Sequence, residues 1–182
     1  MTCAYSAGVV DREGAADGSE ETRWLEPDEQ QIWRALILGS TLLFDRLDDD
    51  LRQEHGISLV EYEILVRLSE SDGQLRMARL ADSLAHSRSR VTHTIKRMER
   101  DGLVERAESP EDGRGVIARI TDGGMDLLRN AAPTHVTGVR DYLVDLADPS
   151  DFAAIGRIMN AVSDRLISDH PDRELRDDRH RR

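Results

Sequence analysis

A single cysteine, Cys3, is all the thiol that this 182-residue chain carries. One cysteine excludes an intramolecular disulfide and any metal site built on paired cysteines. Its place in a segment with few large apolar groups argues against a redox sensor, which needs a structured, electropositive niche. No apolar run approaches the roughly 18 residues that a membrane span requires. Residues 1–14 lack a basic segment and a long apolar core, so no secretory or transit signal is read there and a cytoplasmic location is expected. Positive charge is not in excess either: 25 Lys and Arg face 36 Asp and Glu, a formal net charge of -11. That balance argues against a nucleic-acid binder unless the charge is unevenly distributed.

Catalytic and metal patterns are missing as well. The six histidines show no ligand spacing: His86 and His93 are seven positions apart with His93 facing outward, and His55, His135, His170 and His180 are scattered. Gly113 and Gly115, and the pair Gly123 and Gly124, lack the lysine of a phosphate-binding loop and read as a hairpin turn and a helix start. Asp48, Asp49 and Asp50 fall on a polar helix face without a neighbouring nucleophile, which suits solvation better than acid-base catalysis. No enzyme, no cofactor and no metal are expected.

What the chain does have is one basic stretch. Residues 87–97, SRSRVTHTIKR, carry Arg88, Arg90, Lys96 and Arg97 and no acid. Subtracting that +4 from the total of -11 leaves -15 for the remainder, so DNA would be repelled everywhere except where this face is presented.

The length suits one ordinary domain, or a small domain with helical extensions. Residues 1–23, rich in Gly, Ala, Asp and Glu, predict a disordered lead-in. Residues 168–182 read as a charged tail. Between them the apolar spacing is helical in long blocks. A first helix is predicted from Pro27, with Asp28 and Glu29 in its first turn, through Trp33, Leu36, Ile37, Leu43, Phe44, Leu47 and Leu51 to about Gly56. Ser58 with Glu61 three residues later forms a capping box, opening a helix that buries Tyr62, Leu65 and Leu68 and ends around Gly73.

Two short helices at about 77–84 and 87–101 then follow within a few residues of each other, the helix-turn-helix arrangement. Met77, Leu80, Ala81 and Leu84 form the inner face of the first. Val91, Ile95 and Met98 turn inward in the second, which leaves its basic and hydroxyl residues outward. Gly102 terminates that helix. Residues 103–106 and 115–120 alternate as two short strands around a turn-rich SPEDGRG, a wing. Thr121 opens a further helical region, broken or bent at Pro133, and a last helix begins at 148–150 and carries Phe152, Ile155, Ile158, Met159, Val162 and Leu166. These outer helices have apolar stripes that one small domain cannot cover, so a two-fold partner is expected to cover them.

The stretch from Leu75 to Gly124 resembles the multiple-antibiotic-resistance regulator (MarR) family. The resemblance is carried by Leu80-Ala81, Ser87 and Ser89 at the start of the second short helix, Gly102-Leu103-Val104 after it, and Asp112 and Arg114 ahead of Ile120-Thr121. It implies a mainly α fold with a small β-hairpin wing: a winged helix-turn-helix domain at 57–121, flanked by helical dimerisation arms at 24–56 and 122–167. It also implies a homodimer that binds double-stranded DNA at a palindromic operator, with each recognition helix in a major groove.

On that resemblance Arg88, Ser89, Arg90, Thr92 and His93 are candidates for base edges, and Lys96 and Arg97 for phosphates. Ser87 and Arg76 join the DNA-facing set. Arg114 would enter a minor groove with Asp112 orienting it. The resemblance further implies release by a small aromatic or anionic effector, for which Trp33, Phe44, Tyr62 and Arg67 are candidate lining residues. The competing reading is a helical protein-interaction module whose winged helix does not bind DNA.

Overall fold

The computed structural model describes residues 22–108 and 115–168, and divides by internal contact into Met1–Leu36 and Ile37–Arg182. Helix α1, Pro27–His55, opens with Asp28 and Glu29 near its N-terminus and closes with Arg52 and His55. That order complements the helix dipole at both ends. Within the first unit, Glu29 accepts from the backbone N–H of Glu26 at 2.9 Å and Gln30 accepts from Arg34 at 3.2 Å. Trp24, Ile32 and Trp33 are exposed.

The second unit contains the rest of α1 and then α2 (Leu59–Ser69), β1 (Gln74–Arg76), α3 (Met77–Ser83), α4 (Arg88–Arg100), β2 (Val104–Glu108), β3 (Val116–Ile120), α5 (Asp122–Tyr142), a short 3-10 turn (Val144–Leu146) and α6 (Pro149–Ser168). The capping box is present: Ser58 accepts from Glu61 N–H, and the Glu61 carboxylate accepts from Ser58 N–H. The helix-turn-helix pair lies at α3 and α4, with Leu80 and Ala81 fully buried against Val91, Ile95 and Met98. Ala81, with its single methyl, lets α4 approach closely.

Three differences from the sequence reading have physical causes. Helix α2 ends at Ser69, ahead of Gly73, because the Gly73 N–H reaches back to Leu68 O at 2.9 Å and closes the helix with a left-handed residue. The next three residues form β1, so the sheet has three antiparallel strands in the order β1-β3-β2, with Leu75 opposite Ala118. A three-residue strand is too short to show alternation. Finally, α5 runs unbroken through Pro133; proline removes one N–H donor there, and flanking turns keep the helix intact.

The core of this unit draws on Leu47 and Leu51 of α1, the inner face of α2, the helix-turn-helix, Val104 and Ala118 of the sheet, and Leu128 and Ala131 of α5. Among the described side chains, none from helix α6 belongs to it. Phe152, Ile155, Ile158, Met159, Val162 and Leu166 of α6 are exposed, as are Ile37, Leu38, Leu42 and Phe44 of α1.

Candidate nucleic-acid interface

Helix α4 begins at a built N-cap: Ser87 Oγ accepts from the N–H of Arg90 at 3.3 Å and lies 3.2 Å from Ser89 Oγ. It ends in a turn whose Gly102 has φ +73 and no neighbour that a Cβ would meet, a backbone conformation that favours glycine. Val91, Thr94, Ile95 and Met98 are buried on one side. Helical geometry then places Ser89, His93 and Lys96 at the middle of the outward face, with Arg88 and Thr92 on one flank and Arg90 and Arg97 on the other. All of these except the half-buried Thr92 are exposed.

Among the described residues no ion pair involves Arg88, Arg90 or Lys96, although Lys96 acts through space on the nearby Glu99 carboxylate. The Thr92 hydroxyl donates to Arg88 O at 2.7 Å, which leaves it only acceptor capacity toward a base. Burial together with the nearby Arg90 charge holds the His86 imidazole below its ordinary pKa.

Arg97 differs from its neighbours. Its Nε donates to Glu61 Oε1 at 2.7 Å across 36 residues of sequence. Sequence reasoning placed Glu61 in the cap alone; no local pattern shows that the second carboxylate oxygen would meet α4. Burial pushes the Glu61 carboxyl up, but the Ser58 backbone hydrogen bond, the Arg97 hydrogen bond and the Ser58 hydroxyl outweigh it, and the group lies below its ordinary value.

Arg76 ends β1 and caps α3 by position, half-buried and engaged within the fold. In the sheet, Arg106 of β2 pairs with Glu99 of α4 at 2.7 Å, and Arg119 of β3 donates to Gln74. Asp112 and Arg114 lie outside the described residues.

Phe44 lines a cleft of about 450 Å³ within the second unit, together with Asp45, Asp48, Arg52 and Leu59 and with Arg90 and Arg97 of α4. Tyr62 is buried and its ring lies 4.5 Å from that of His135. Arg67 is exposed and pairs with Glu70. Trp33 belongs to the first unit. Apolar spacing alone could not separate the aromatic that faces a cleft from the one that faces the core. Among the described residues no cluster of His, Cys, Asp or Glu suits a metal ion, and no helix is long and apolar enough to cross a membrane.

A family model described as MarR family matches residues 55–115. The chain is similar to two solved structures from Streptomyces coelicolor. One is AbsC, a MarR family transcriptional regulator: 39% identity, TM-score 0.77, covering 81% of this chain and 99% of that one. The other is Sco3205, a MarR family transcriptional regulator solved in complex with DNA: 41% identity, TM-score 0.78, covering 81% and 93%. Among curated proteins it is similar to the HTH-type transcriptional regulator YkoM of Bacillus subtilis, 31% identical over 46% of this chain. It also resembles the HTH-type transcriptional repressor IacR of Pseudomonas putida, 33% identical over 51% of this chain. The matched part spans about half the length of these two, 53% in each.

Proposed function

The chain belongs to the MarR family, and on that footing we propose that it is a sequence-specific, DNA-binding transcriptional regulator that works as a homodimer. The observation that carries this reading is the outward face of α4, where Arg88, Arg90 and Lys96 stand exposed and free of ion pairs among the described residues. In a molecule of net charge -11, such a face is a place where a polyanion gains by approaching. The relative Sco3205 was solved in complex with DNA, which supports a DNA-binding role.

In this reading α4 enters a major groove. Arg88 and Arg90 read guanine edges in bidentate fashion, with Ser89, Thr92 and His93 beside them. Lys96 and Arg97 sit on phosphates, and Arg114 with Asp112 serves the wing. The head spans 57–121, and the arms 24–56 and 122–167 pair with those of a second copy. The apolar faces of α1 and α6 support that pairing: side chains of this size are costly to leave in water and suit an isologous interface.

Regulation is by repression, relieved when a small aromatic or anionic molecule binds. The cleft at Phe44 supports this part, since three arginines, Arg52, Arg90 and Arg97, line it with one aromatic ring and with Asp45 and Asp48. Such a ligand acts only through a difference in affinity between the DNA-bound and free forms. The test is a fluorescence titration of the full chain with duplex DNA flanking its own gene at two salt concentrations. Tight, salt-sensitive binding that prefers this duplex to a scrambled one is expected. Retention of neither duplex at either salt concentration would favour a protein-interaction module instead, and equal retention of both would contradict sequence-specific reading.

A further inference from the structure

We propose that Glu61 is a positioning residue for DNA reading: from the N-terminus of α2 it grips Arg97 Nε and so sets where the terminal nitrogens of that guanidinium stand on the DNA-facing surface. The inference rests on the assignment of α4 as the reading helix and adds to it a residue that never touches DNA.

Glu61 can do this because its two oxygens have separate duties. Oε2 accepts from Ser58 N–H at 2.8 Å and from the Ser58 hydroxyl at 2.7 Å. Those bonds belong to the helix cap and fix the carboxylate plane. Oε1 is left facing α4 and takes Arg97 Nε at 2.7 Å. The post is anchored inside the protein: the Glu61 side chain is 7% exposed, whereas that of Arg97 is 49% exposed. The buried polar side chains of this region are Ser58, Glu61 and Thr94, and Thr94 bonds its own helix at Arg90 O. Glu61 is therefore the buried polar group that joins the two helices.

Arginine suits the role because its guanidinium is a rigid fork. With Nε engaged by the carboxylate, the two terminal nitrogens remain for a phosphate, and their direction is fixed before DNA arrives. Without the post, a long side chain must be ordered on binding. Lysine, with one ammonium, cannot hold the carboxylate and present a second donor edge in a fixed plane.

Simple electrostatics predicts the opposite sign for the decisive variant. Replacing Glu61 with glutamine removes a negative charge near the DNA and should tighten binding if charge alone mattered. Glutamine also serves in capping boxes, so the start of α2 survives.

The experiment uses the full chain and a duplex recovered by its own selection from a random-sequence pool, with Kd measured for the parent, Glu61→Gln, Arg97→Lys and the double variant. Glu61→Gln is expected to bind roughly tenfold more weakly, the scale of one charge-assisted hydrogen bond. Arg97→Lys should lose a similar factor, and the double variant should be no weaker than Arg97→Lys alone, with circular dichroism unchanged throughout. Equal or tighter binding by Glu61→Gln, or multiplying losses in the double variant, overturns the positioning role and leaves the reading helix standing. A parent chain that does not prefer the selected duplex overturns both. Should Glu61→Gln fail to fold, Arg97→Lys decides alone: parental affinity in that variant refutes the need for a fork held by the carboxylate.

Discussion

A Cβ placed on Gly124 would lie 2.1 Å from the carbonyl oxygen of Leu103. The first turn of α5 thus packs directly on the backbone where the chain leaves α4 for the wing. Thr121 seals the same corner: its hydroxyl donates to Gly102 O at 2.7 Å and accepts from Gly124 N–H at 3.0 Å. Any shift of the exit from α4 is therefore felt at the base of α5.

Gly124→Ala should destabilise the fold by about 1 to 3 kcal/mol, the range for overpacking against a rigid neighbour. The contact is backbone, which cannot rotate away. Gly123→Ala is the control: the nearest atoms to a Cβ there are 3.6 and 3.7 Å away, and alanine in place of a helical glycine gains up to about 1 kcal/mol. Urea denaturation should move the two midpoints in opposite directions. Equal midpoints would contradict the close approach.

Stability should fall on mild acidification. His135 has a half-buried ring against Tyr62, and its Nδ1 has no hydrogen-bond partner among the described residues. Burial holds its pKa below the ordinary value, as burial and Arg90 do for His86. The unfolded chain therefore takes up these protons first, near pH 6.5, while the folded chain resists them. The contribution is complete above that pH and is lost as pH falls from about 6.5 through the depressed folded values. His135→Phe keeps a ring against Tyr62 and should flatten part of this slope, measured by urea unfolding between about pH 5 and 7. An unchanged slope would exclude His135 from it. Glu61, whose folded pKa is lowered, protects the fold until pH drops through the carboxylate range.

The apolar face of α6 supplies a third test. Ile155 and Ile158 are exposed and lie outside the core of their own chain. Replacing both with glutamate should leave the helix-turn-helix folded and reduce the mass measured by sedimentation from two chains to one. A parent chain already sedimenting as a monomer, or a double variant that stays dimeric, would remove α6 from the proposed interface.

The helices were legible in the sequence because their signals are local. Ser58 and Glu61 announce the start of α2, Gly102 the end of α4, and Leu80, Ala81, Val91, Ile95 and Met98 keep the helical period of two buried faces. Strand β1 was not legible, since three residues carry no period and its partner, β3, lies some forty positions away. The basic face of α4 was visible as a charge pattern. The Glu61–Arg97 bond was not, because it depends on how α2 and α4 cross. The effector candidates show the same limit: Phe44 reaches a cleft and Tyr62 the core, although both are aromatic residues on apolar helical stripes.

The reading face itself is tested by Arg88→Ala combined with Arg90→Ala. Both side chains are exposed, so the variant should keep the parental circular dichroism spectrum and unfolding midpoint. Titrated against a duplex selected by the parent chain at fixed salt, it should bind at least about a hundredfold more weakly, as expected when two specific base contacts are removed. A folded double variant that holds this duplex as tightly as the parent would contradict the assignment of α4 to the DNA.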